Sequence, residues 1–426
     1  MGIKSSKNKK KDGKKAKEDD KKANEEPKKK EKKDINKNNK NKIIDLNSIQ
    51  KLEPKFNDDY MLINDYKNNY FLASYEYSKL YLLSCYEIFQ LKNENESFFI
   101  AYQNENHRLE IIEFNFISKA INKINSPSLG TGAVQKIKYF YNEKENKEYL
   151  FVLGYIGLTI LLITNKNQFD EIIEYSEKGT NYTKNEMFES KLKTNEFEVI
   201  YNIYNQITYI IISFLCLRAP DIIRTIKIFS FEQDKINFLN SYYYTENPNN
   251  AKILFLVWEN KISKTYHLII NSNGRLKILE IGDKRNEIHP YGYFDEYNKN
   301  FGEIGCIINT DDNDDYLLLI DHYNKFNEID LNDGRRRYYF YIDEIKGEIT
   351  SIINWNNKEF ILSTKSEIYI YDFQEKKILS KYIAPLNPEL KENIISVKRY
   401  KLKDSDKSII FFDSSDNTIR LLNSYI

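Results

Sequence analysis

A short strand-like segment that returns seven times constrains this chain more than any other feature. The copies are Leu109-Glu-Ile-Ile-Glu113, Ile160-Leu-Leu-Ile-Thr164, Ile226-Lys-Ile-Phe-Ser230, Leu276-Lys-Ile-Leu-Glu280, Phe326-Asn-Glu-Ile-Asp330, Ile368-Tyr-Ile-Tyr-Asp372 and Ile419-Arg-Leu-Leu-Asn423. Their first residues are 51, 66, 50, 50, 42 and 51 positions apart. Most follow an apolar run by about ten residues, as at Phe98–Tyr102, Tyr149–Leu153, Tyr266–Ile270, Tyr316–Ile320, Phe360–Ser363 and Ser408–Phe412. A blade of four short strands takes roughly 40–50 residues. One such sheet cannot bury its own faces, and blades set around an axis bury each other's. The spacing therefore predicts an all-β chain folded as a seven-bladed β-propeller.

The last copy carries a resemblance. Ser408–Asn423 reads as two strands joined by a polar turn at Asp413–Asn417, with Ile419 and Leu421 alternating against Arg420. It resembles the core of a WD repeat, with Leu422 and Asn423 where that family has Trp and Asp. Tyr371-Asp372 comes nearest to that pair, and no Gly-His pair occurs. The resemblance implies a degenerate WD-like propeller. It also implies that an N-terminal strand completes the last blade, which stops at Ile426 without an outer strand of its own. Tyr70–Ser74 is the candidate. Closure removes an exposed edge. The expected blades are 79–124, 134–175, 197–243, 252–294, 304–342, 349–383 and 394–423.

Charge divides the chain in two. Residues 1–41 hold 17 Lys and 8 Asp or Glu, no aromatic residue, and only Ile3 and Ile35 as bulky aliphatics. Such a segment cannot offset its ordering entropy and reads as a disordered basic tail. The whole chain is +1, so the propeller domain, 42–426, is acidic. Cys85, Cys216 and Cys306 lie far apart, without a disulfide or metal spacing, which fits a reducing compartment. No apolar run marks a secretory signal or a membrane-spanning helix.

Catalytic and cofactor patterns are absent, so the sequence predicts a non-enzyme with no cofactor, metal or small-molecule substrate. His107, His267, His289 and His322 are spread over three blades with no shared ligand spacing. Gly130-Thr-Gly132 opens no helix and reads as a loop. Asp311-Asp-Asn-Asp-Asp315 hints at a calcium loop, but Tyr316 stands where the turn glycine belongs and His322 where the bidentate Glu belongs. A solvated hairpin turn is the better reading. Arg335-Arg-Arg337 reads as a basic hairpin end running into a strand, although its arginines resemble those of phosphoinositide-binding propellers.

Two functional signals remain. Met1-Gly-Ile-Lys-Ser-Ser6 fits the N-myristoylation pattern, with Gly2 as the attachment residue. Lys4, Lys7, Lys9, Lys10, Lys11, Lys14, Lys15 and Lys17 follow it and would face an anionic membrane. The second signal is a pair of insertions in the third repeat, 177–196 and 215–224. Loops on a rigid scaffold are common binding elements. The first offers Met187, Phe188 and Leu192; the second offers Arg218, Asp221 and Arg224 around Pro220. Phe188, Arg218, Asp221 and Arg224 are the protein-binding candidates. These signals predict a cytoplasmic scaffold, peripheral to a membrane, that holds protein partners on one propeller face. The alternative is a nuclear or nucleolar propeller whose arm contacts nucleic acid or acidic proteins. That arm has no Arg and no aromatic, so it can neutralise phosphates but cannot read bases.

Overall fold

A computed structural model describes residues 85–424, except 105, 116–117, 119, 125, 177–190, 219–220, 247–252, 273–274, 283–286, 289–303, 310–313, 322, 335, 385–392, 402–407 and 416–417. The regular elements among the described residues are all strands, arranged in seven antiparallel sheets. The first sheet holds β1 (Tyr86–Phe89), β2 (Ser97–Gln103), β3 (Leu109–Asn115) and β4 (Ile121–Ile124). The second holds β5 (Val134–Asn142), β6 (Lys147–Gly154), β7 (Gly157–Asn165) and β8 (Gln168–Ser176). The third holds β9 (Lys191–Asn202), β10 (Ile207–Arg218), β11 (Asp221–Glu232) and β12 (Lys235–Glu246). The fourth holds β13 (Leu254–Asn260), β14 (Thr265–Ser272), β15 (Arg275–Glu280) and β16 (Glu287–Ile288). The fifth holds β17 (Ile304–Asn309), β18 (Asp315–Ile320), β19 (Phe326–Asp330) and β20 (Arg336–Phe340). The sixth holds β21 (Ile349–Asn354), β22 (Glu359–Thr364), β23 (Glu367–Asp372) and β24 (Lys377–Ile383). The last holds β25 (Ile394–Lys401), β26 (Ser408–Ser414) and β27 (Thr418–Ser424).

Among the described residues this is a β-propeller with six four-stranded blades and a three-stranded last sheet. Each of the seven echoes in the sequence lies in the third strand of its sheet. The apolar runs before them are second strands. Tyr70–Ser74, the expected closing strand, lies outside the described residues, as does the tail 1–41.

The second strands are continuously apolar because their two faces feed two different cores. In β6, Leu150 and Val152 pack with Phe89, Phe99 and Leu109 of the first sheet. Tyr149, Phe151 and Leu153 of the same strand pack with Phe197, Ile210 and Phe231 of the third. In β10, Tyr209 and Ile211 face Leu268 and Ile270 of the fourth sheet, while Ile210 and Ile212 face the second. The alternation continues through β18, whose Leu317 and Leu319 face Trp258 and whose Leu318 and Ile320 face Phe360. In β26, Ile410 and Phe412 join Trp355 and Ile361 of the sixth sheet. Phe411, on the opposite face, meets Phe98 of the first sheet with ring centroids 6.2 Å apart. The last sheet thus reaches the first, and the ring is closed through side chains.

Candidate functional site

The third sheet departs from its neighbours. Its four strands are 12 residues each, whereas β17–β19 of the fifth sheet have 6, 6 and 5. At about 3.3 Å per residue, 12 residues span about 40 Å, roughly twice the span of a six-residue strand. In every sheet the turn between second and third strands lies on the face opposite the turn between first and second. The additional length belongs to the former face. There Lys191–Glu196 and Ser213–Arg218 run side by side, and Arg218 pairs with Asp221 across a two-residue connection.

These pairings correct the expected loop at 215–224, which is a hairpin within β10 and β11. Residues 191–196 are likewise strand rather than insertion. The apolar runs Phe214–Leu217 and Ile222-Ile223 already suit strands, and only Ala219-Pro220 is left to turn the chain. Arg224 is also corrected as a surface anchor. It has no exposed surface, and its Nη1 donates to Ser213 Oγ at 3.0 Å. Arg218 and Asp221 flank the hairpin turn. Phe188 and Met187 lie outside the described residues, as do Gly2 and the eight tail lysines.

The structure adds two residues that the sequence reading passed over. Tyr155 and Ile156 form the turn between β6 and β7 and are 42% and 41% exposed. Turns between strands usually carry Gly, Asn, Asp or Ser. Here Gly154 and Gly157 let neighbouring groups approach closely while the tip is apolar. A side chain at Gly154 would strike Thr131, and one at Gly157 would strike the Tyr175 carbonyl. The turn is pinned to the foot of the projecting sheet. Thr194 N donates to Tyr155 O at 3.0 Å, Thr194 Oγ1 donates to Gly154 O at 2.5 Å, and Ile156 N donates to Thr131 O at 3.1 Å. Lys136 of β5 pairs with Glu196 of β9 beside it. The sequence signal for this tip is the pair of large apolar residues between two glycines.

The chemistry elsewhere is structural. The described residues contain no group of three or more His, Cys, Asp or Glu that could hold a metal ion. Burial pushes the Cys85 thiol up to about 12, and Cys306 is also buried and raised. Neither is an activated thiolate. Asp315, expected in a solvated turn, is buried instead. It accepts from Trp258 Nε1 of the fourth sheet at 2.7 Å and from Asn309 Nδ2 at 2.6 Å. His267 packs against Trp258 with ring planes tilted by 30° and centroids 4.8 Å apart, and burial lowers its pKa to about 4. Arg337 binds Asp330 at 2.7 and 3.1 Å and Asp333 at 2.7 Å, so its guanidinium holds the hairpin that leads into β20.

No protein-family model matches this chain. No curated protein matches it either. Solved structures do. BBS1N, in a crystal structure of its complex with ARL6DN soaked with lead, superimposes with a TM-score of 0.54 at 11% identity, over 81% of this chain and 94% of that one. The crystal structure of Saccharomyces cerevisiae Sqt1 gives 0.50 at 7% identity, over 84% of this chain and all of that one. At such identities the likeness concerns the fold. Strand order and likeness together support a β-propeller fold.

Proposed function

We propose that this protein is a non-enzymatic interaction scaffold that docks protein partners on the rim formed by its projecting third sheet. The observation that carries this reading is an apolar tip, Tyr155-Ile156, held at the foot of a hairpin longer than the ring requires. Apolar anchors beside charged groups are the usual makings of a hot spot. Tyr155 and Ile156 supply the anchors. Arg218 and Asp221 supply the charges, with Phe188 on the neighbouring insertion. BBS1N, a propeller of similar fold, forms a complex with ARL6DN, which fits a binding role for such a ring.

In this reading the seventh blade is completed by Tyr70–Ser74, and the whole is tethered to an anionic membrane by myristate on Gly2 and the lysines behind it. One myristoyl chain binds with K of only about 10⁴ M⁻¹, so the lysines are needed as well. The test compares proteins co-purified from the native cell with wild type, with Tyr155→Ser/Ile156→Ser, with Arg218→Ala/Asp221→Ala and with Gly2→Ala. The rim variants should lose the same partners while keeping membrane fractionation. Gly2→Ala should keep the partners and leave the membrane. Rim variants that retain every partner would refute docking here, and Gly2→Ala that stays on the membrane would refute the anchor.

A further inference from the structure

The ring closes where β25 and β26 of the last sheet face β1 and β2 of the first. Phe98 stands edge-on to Tyr400, with centroids 5.0 Å apart, and to Phe411. At this junction lies Asp413, which has no exposed surface. Its Oδ1 accepts from Ser396 Oγ and from Tyr86 OH, the latter at 3.4 Å. Its Oδ2 has no hydrogen-bond partner among the described residues. The nearby cation is otherwise engaged. Lys398 Nζ donates to the Tyr86 carbonyl, sits 4.0 Å from the Tyr86 ring centroid and lies 3.7 Å from the Glu87 carboxylate. From β27, the residue paired with Asp413 is Ile419, which does not titrate.

A buried carboxylate oxygen without a donor is costly as an anion and tolerable as a neutral acid. We infer that the junction between the last and first sheets is a proton-tightened latch, closed more firmly when Asp413 is protonated and loosened when it ionises. Burial pushes this carboxyl up to about 6, against the opposing pull of Ser396, Lys398, its own amide and Tyr86. Opening the junction hydrates the group and returns it toward the ordinary value of 3.8. The closed form therefore holds the proton more tightly. The gain from closure is complete below 3.8 and is lost as pH rises through about 6. Among the described residues, no other buried carboxylate oxygen lacks a partner. Asp315, at the seam between the fourth and fifth sheets, is also a buried carboxylate, but there both oxygens accept from N–H donors.

Amide hydrogen exchange on the full chain tests the latch, with each rate corrected for intrinsic exchange at its pH. The segments to follow are 86–89 and 409–413. A group at about 6 when closed and 3.8 when open makes opening about tenfold rarer at pH 5 than at pH 7.5. Asp413→Asn should remove the dependence and give, at pH 7.5, the protection that wild type reaches at pH 5. Tyr86→Phe removes a donor to the anion and should move the midpoint upward. Segments at the seam between the fifth and sixth sheets, around Leu318 and Phe360, should show no such change. Wild-type protection equal at both pH values, an Asp413→Asn protein that keeps the tenfold change, a Tyr86→Phe midpoint that stays in place, or an equal response at all seams would each overturn the inference.

Discussion

The third and seventh sheets depart from the repeating unit in opposite directions. The third has four strands of 12 residues, and the seventh has three strands of 7 or 8. The third is held from the second by an aromatic cluster. Tyr149 and Phe151 meet Phe231 edge-on with centroids 5.0 and 5.5 Å apart. Such pairs add about 0.5–1.5 kcal/mol each beyond their buried area. The seventh meets the first around a carboxylate. The ring needs only short strands to bury its faces. Length beyond that is available for binding, and the last sheet sits at the junction that buries the Asp413 carboxyl.

This contrast can be broken in several ways. The largest expected effect is at the aromatic wall. Phe231→Ala should destabilise the protein by about 3–5 kcal/mol, read as a lower urea midpoint. A loss below 1 kcal/mol would mean that the third sheet is not anchored there. Next come two groups with opposite pH responses. His267 is buried neutral with a pKa of about 4, so its contribution is present above 6.5 and is lost as pH falls through 4. By pH 5 that loss is about 2 kcal/mol. Asp413 over the same interval contributes a gain of about 1 kcal/mol. The two largely offset in wild type. Stability measured at pH 7 and pH 5 should rise on acidification in His267→Gln and fall in Asp413→Asn. Parallel curves for the two variants would show that neither group titrates as described.

Smaller effects sharpen the same picture. Glu87→Gln removes a partly exposed pair with Lys398 and should change stability by less than about 1 kcal/mol, with the loss declining at high salt. A larger change would place the strength of the closing junction in that ion pair. Tyr155→Ser/Ile156→Ser should alter stability by no more than about 0.5 kcal/mol, because a turn tip contributes little to the cores. A cooperative loss comparable to Phe231→Ala would make the tip a packing element instead of a docking one.

Much of the architecture was legible in the sequence, because third strands carry their signal locally. Phe326–Asp330 is β19 residue for residue, and Leu276–Glu280 differs from β15 by a single residue. The hairpin at 215–224 was misread because Pro220 and the flanking charges look like a loop, although two residues suffice to turn two strands. Arg224 was misread because an arginine is almost never fully buried. The seams were not legible at all. Trp258 and Asp315 are 57 positions apart, and Tyr86 and Asp413 are 327 apart. No local pattern connects such pairs; only the ring brings them together. Tyr155 and Ile156 went unnoticed because turns are searched for polar residues, and here the information lay in their apolarity.

The docking claim is tested most directly by placing a photo-crosslinking residue at one position at a time in the native cell. Position 156 lies on the rim face. Position 262, where Ile262 is 72% exposed in the turn between β13 and β14, lies on the opposite face and serves as the control. The account predicts discrete covalent adducts with other proteins from 156 and few or none from 262. Adducts from 262 alone, or equal adducts from both positions, would contradict it.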